Sequence, residues 1–147
     1  MTAEIDVSSW TLIGETANSR NYAVEPNVLA VVPHPGSHDT GATARENIVS
    51  QRAYLRPLGG GVVMIFFDNL AGQDKDARRV YQVESDPSWM RGTALIGGSM
   101  LSRAIGAFFL GLSRPQSPLR MFGSFDDALT WAHQLNSRAP AAGTETP

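Results

Sequence analysis

Thr93-Ala94-Leu95-Ile96-Gly97-Gly98, the apolar run Leu101 to Leu112, Leu119-Arg120-Met121-Phe122 and Ser124-Phe125-Asp126-Asp127-Ala128 together decide the fold class of this chain. A short apolar run closes on two glycines, as a strand does at a turn. Leu101, Ala104, Ile105, Phe108 and Leu112 then recur at helical spacing, predicting a helix from about Met100 to Leu112. A second short strand follows. Ser124, with Asp127 three residues later, approximates a capping box for a last helix. The inward stripe of that helix is Ala128, Trp131 and Leu135. Strand, helix, strand, helix points to parallel pairing and an α/β layer fold.

Working upstream, Gly59-Gly60-Gly61 releases the chain into Val62-Val63-Met64-Ile65-Phe66-Phe67, the most apolar run of the protein. A strand without polar alternation belongs at the centre of a sheet buried on both faces. Asp68-Asn69 ends it, and a short helix is expected from about Asp74 to Gln82, with Ser85-Asp86-Pro87 breaking the chain beyond. Before the triplet, Asp39 or Thr40 is placed to cap a helix reaching Leu55, with Ala44, Ile48 and Leu55 turned inward and Pro57 as its stop. Val7 to Glu15, Asn21 to Val24 and Val28 to Val32 read as strands, the last two split by Glu25-Pro26-Asn27. Pro33 to His38 reads as a loop.

The bulk properties narrow the function classes. One domain is expected over residues 1–136, with a disordered tail over 137–147. The formal net charge of -2 offers no electrostatic reason to bind nucleic acid or an anionic membrane. Eleven of the twelve basic residues are arginine, Lys75 being the exception. There is no cysteine, so thiol catalysis, thiolate metal sites and disulfides are excluded. No apolar stretch approaches the ~20 residues needed to span a bilayer, and the first residues lack a signal-peptide pattern, so a cytoplasmic protein is expected.

The block Ser102-Arg103-Ala104-Ile105-Gly106-Ala107-Phe108-Phe109-Leu110-Gly111-Leu112 with Arg114-Pro115, then Pro118 to Phe122 and Asp127 to Trp131, resembles the bacterial STAS-like proteins. These are small relatives of the anti-sigma factor antagonists that share features with CRAL-TRIO lipid-binding domains. Phe67-Asp68-Asn69 and Asp74-Lys75-Asp76-Ala77-Arg78 resemble the family's strand, turn and second helix. The resemblance spans roughly residues 20 to 136. It implies a mixed β-sheet of about five to six strands covered by about four helices, mainly on one face, and a non-enzymatic role in recognising other proteins. In the family's regulatory members a serine opening the second helix is phosphorylated and switches partner binding. Here that turn is Gln73-Asp74-Lys75-Asp76-Ala77, without a hydroxyl residue. The switch-like turn is therefore Asp68, Asn69, Asp74, Lys75 and Asp76, in which a carboxylate supplies fixed negative charge or simply caps the helix.

The Met100–Leu112 helix is widened by Ala107, Phe109 and Leu110 until it is apolar on most sides, with Arg103 its only charge. Such a helix is buried on most sides, by the chain's own loops, a second copy, a protein partner or an apolar ligand. Arg103, Phe108, Phe109 and Leu110 are the candidate partner-binding residues. Gly97, Gly98 and Ser99 lie between a strand and a helix, where backbone amides can hold an anion, but they match neither GxGxxG nor GxxxxGK[ST]. His34, His38 and Asp39 lack a third strong ligand at diagnostic spacing, and no serine sits in a GxSxG elbow, so no metal, cofactor or catalytic set is called for. The reading is a STAS-like recognition or adaptor domain. Binding of a lipid or other small apolar ligand is its first alternative, and an enzyme using Asp68 or Asn69 its second.

Overall fold

The structure, a computed structural model, describes residues 5–98 and 117–138. Six strands form one mixed sheet: β1 (Thr11–Glu15), β2 (Ser19–Glu25), β3 (Val28–Pro33), β5 (Gly61–Phe66), β7 (Met90–Ile96) and β8 (Leu119–Phe122), in that spatial order. The first three are an antiparallel meander, and from β3 onward every neighbour is parallel. A separate two-stranded parallel pair, β4 (Ser37–Asp39) and β6 (Leu70–Gln73), stands apart from this sheet.

Alternation along the parallel strands sorts the core onto two faces. Leu29 and Val31 of β3, Val63 and Ile65 of β5 and Leu95 of β7 point toward α1 (Gly41–Leu55) and α2 (Lys75–Glu84). Val28, Ala30, Val62, Met64, Ala94 and Ile96 point toward α3 (Phe125–Arg138). Both faces of β5 are thus covered, and all six of its residues are buried. That is why its sequence shows no polar alternation. Two of the three helices among the described residues share one face, in agreement with the expected STAS-like architecture. The expected fourth, Met100–Leu112, lies outside the described residues.

Local chemistry sets the element ends. Thr40 caps α1, accepting from the Thr43 amide at 3.2 Å while the Thr40 amide donates to the Thr43 hydroxyl at 2.8 Å. Asp74 caps α2 through the Ala77 amide, and Ser124 caps α3 through the Asp127 amide. The glycine triplet has a geometric cause at each position: Gly59 takes a φ of 84°. Gly60 takes a φ of 104°, and a Cβ on Gly61 would collide with the Asn27 carbonyl oxygen of the β2–β3 turn.

Three sequence expectations are corrected. β1 begins at Thr11 rather than Val7, because Asp6 and Ser8 build a turn in which the Asp6 carboxylate accepts from the Ser8 amide and hydroxyl. Ser37 and His38 are strand rather than loop, since pairing with β6 satisfies their backbone. α3 continues through Ser137 and Arg138, past the expected start of the tail; residues 139–147 are outside the described set.

Candidate functional site

The helix starts of α1 and α2 lie side by side, each fed by one strand of the β4–β6 pair. Asp39 ends β4 and is almost fully buried. Its carboxylate accepts from Thr43 Oγ1 at 2.6 Å, Tyr81 OH at 2.8 Å, Asn18 Nδ2 at 3.3 Å and Gln73 Nε2 at 3.4 Å. A charge taken out of water needs such donors. Asn47 extends the network, donating to Asn18 Oδ1 and Tyr81 OH and accepting from Thr16 Oγ1 at 2.6 Å. Burial first, and the Asp39 charge second, push the Tyr81 phenol well above its ordinary value. The network locks the β1–β2 turn, β4, β6, α1 and α2 together and fixes how the two helix starts meet.

On that base stands the acidic turn singled out in the sequence. Asp74 is consumed as the α2 cap, and its own amide donates to the Asp39 carbonyl at 3.0 Å. Lys75 and Asp76 are exposed. The Asp76 side chain abuts Gly41, the first residue of α1, where a Cβ would stand 3.2 Å from the Asp76 Cβ. Asp76 takes no side-chain hydrogen bond from the described residues, so its charge faces outward between two positive helix ends.

Asp68 and Asn69 go elsewhere. They lie in a single 3-10 turn, Phe67–Asn69, at the carboxyl end of β5. Asn69 is buried and structural: Nδ2 donates to the Pro33 carbonyl at 2.9 Å, and its own carbonyl accepts from the Gly36 amide. Asp68 reaches across to β7, accepting from the Gly98 amide with oxygens at 3.1 and 3.2 Å. The five-residue turn of the sequence reading is therefore two places, and one of them joins the glycine pair that the sequence left separate. The Gly98 amide already carries an anion, the chain's own carboxylate. Ser99, Arg103, Phe108, Phe109 and Leu110 lie outside the described residues.

Beside Asp68 a cleft of about 360 Å³ opens at the carboxyl ends of β5 and β7, below the start of α3. Its wall is aromatic. Trp10 stands 5.3 Å from Phe125 and 5.9 Å from Phe66, ring centre to ring centre, and Phe66 and Phe125 stack at 6.4 Å. Asp6, Ser9 and Ser124 contribute its polar rim. The sequence does not reveal this cleft, because it places Trp10 in a strand, whereas β1 begins one residue later, at Thr11. The Asp39 network escapes sequence reading for want of a local pattern. Among the described residues no group of three or more His, Asp or Glu is placed to hold a metal ion, and no helix is long and apolar enough to cross a membrane.

A family model described as a domain of unknown function, DUF7793, matches residues 22–136. The chain belongs to this family. No curated protein matches it. Among solved structures, the anti-sigma factor antagonist SpoIIAA in its unphosphorylated form superposes with a TM-score of 0.52 at 11% identity, over 78% of this chain and 97% of that one. An uncharacterised DUF3478 protein with a SpoIIAA-like fold, from Shewanella loihica PV-4, gives 0.54 at 14% identity, over 90% of this chain and 98% of its own. The DUF7793 chain has a STAS-like fold.

Proposed function

We propose that this DUF7793 protein is a cytoplasmic, non-enzymatic recognition module that docks a protein partner at the paired starts of α1 and α2. The reading is carried by Asp76, an exposed carboxylate beside Gly41 that capping does not consume. SpoIIAA, of the same fold, is an anti-sigma factor antagonist described in an unphosphorylated form, which makes protein recognition near a modifiable site the natural comparison. Here residues 73–77 hold no hydroxyl, so Asp76 keeps its negative charge at all times rather than gaining it by phosphorylation. Lys75 beside it gives the surface both signs, which favours orientation of a partner over raw affinity. Phe108, Phe109 and Leu110, with Arg103 as a neighbouring charge in the sequence, lie outside the described residues and are proposed as a second contact, on a protein partner or a second copy.

The test is affinity capture from the cells of origin with wild type, Asp76→Arg, and the Phe109→Asp, Leu110→Asp double variant, each checked for unchanged far-UV circular dichroism. A partner held by wild type and lost in Asp76→Arg supports the proposal. Retention of every captured protein by Asp76→Arg overturns it.

A further inference from the structure

The aromatic cleft is independent of the α2 turn and is built differently from the rest of the domain. Ile5, Asp6, Ser9 and Trp10, which form one side of it, precede the family match that starts at residue 22. The other side is the sheet end and the first turn of α3. Three glycines, Gly97, Gly98 and Gly123, line this space. A Cβ on Gly98 or on Gly123 would meet no atom of the described residues within 4 Å, so these residues leave open a volume that ordinary side chains at either position would occupy. Open α/β sheets bind small molecules at this end of their strands. A volume of about 360 Å³ falls within the range of small-ligand pockets, and exceeds the ~150 Å³ of a dry cavity that accepts a benzene ring.

Chemistry narrows the occupant. A lining of Trp10, Phe66 and Phe125 suits a flat apolar body, and aromatic rings also attract cations. The charged side chains among the described lining residues are the carboxylates Asp6 and Asp68; no lysine, arginine or histidine is among them. Asp6 lies at the rim with its carboxylate fixed by Ser8. With Asp68 already engaged by the Gly98 amide, Asp6 at the rim favours a cationic group over an anionic one there.

We propose that this cleft binds a small planar aromatic amine, its ring against Trp10 and Phe125 and its ammonium group toward Asp6. The probes are tryptamine and indole-3-acetate, which share a ring system and carry opposite charge. Amide shifts in the full chain are followed by two-dimensional NMR during titration with each. Tryptamine is expected to shift Gly97, Gly98 and Gly123 saturably, and to bind at least about tenfold more tightly than indole-3-acetate. Gly123→Leu, whose side chain enters open space, is expected to abolish those shifts with the melting temperature kept. Asp6→Asn is expected to narrow the preference between the probes. Equal binding of the two probes, no saturable shift with tryptamine at millimolar concentration, or full binding in folded Gly123→Leu would each overturn the proposal.

Discussion

The Asp68 carboxylate and the Gly98 amide meet at 3.1 Å across the ends of two neighbouring parallel strands, β5 and β7. Parallel strands are joined along their length by their ladder but splay where it ends. This charge-assisted bond continues the pairing past Phe66 and Ile96 and holds one margin of the aromatic cleft.

Removing that bond has a bounded cost. Asp68→Ala removes this bond along with the other contacts of the carboxylate and is expected to lower stability by about 1–3 kcal/mol. Urea denaturation measures the loss, and amide exchange at Gly98 should quicken more than exchange at the centre of β7.

Tyr81 gives a pH signature. Its folded-state pKa lies above the unfolded value of 10.0, because burial and the Asp39 charge both oppose the phenolate. The folded state therefore holds its proton more tightly than the unfolded chain. That stability is fully present below pH 10 and falls as pH rises above it toward the folded value. Tyr81→Phe should cost about 1–3 kcal/mol at pH 7, by leaving Asp39 short of a donor. The gap between wild type and Tyr81→Phe should shrink above pH 10 in a series of melting curves.

Gly61→Ala is expected to destabilise by about 3 kcal/mol or more, since the new methyl group runs into the Asn27 carbonyl and the Leu55 side chain together. Gly98→Ala, whose new methyl group would meet no atom of the described residues within 4 Å, should stay within about 0.5 kcal/mol of wild type by thermal denaturation.

The exposed pair of His133 on α3 and Glu25 on β2, at 2.8 Å, is the counter-case. His133→Ala should change stability by less than about 1 kcal/mol, because both partners are open to solvent and screened by salt. A calorimetric melt at low and high ionic strength reads the effect.

What was legible in the sequence was whatever leaves a local or periodic trace. The buried run of β5, the caps at Thr40, Asp74 and Ser124 and the stripe Ala128, Trp131, Leu135 all stand where their spacing puts them. The site was harder to see. Asp39, Tyr81, Asn47 and Gln73 come from four elements and Asn18 from the β1–β2 turn, and nothing local marks one buried carboxylate among fourteen acidic residues. β4 and β6 are too short for alternation to register. Asp68 and Asp76 were near enough in sequence to be taken as one turn; β6 lies between them and sends one to the sheet end and the other to the helix starts.

The change from antiparallel to parallel pairing at β3 also sets an order of assembly. The meander β1–β2–β3 can close from adjacent residues, yet the second edge of β3 has to wait for β5, with residues 34–60 between them. At ribosomal rates of ~5–20 residues per second, those residues take roughly one to five seconds to synthesise. For that interval the nascent chain presents Val28 to Val32 as an unpaired apolar edge, open to any extended segment nearby. Chaperone demand during synthesis should therefore peak before α1 is complete and end when Val62 to Ile65 are delivered to that edge.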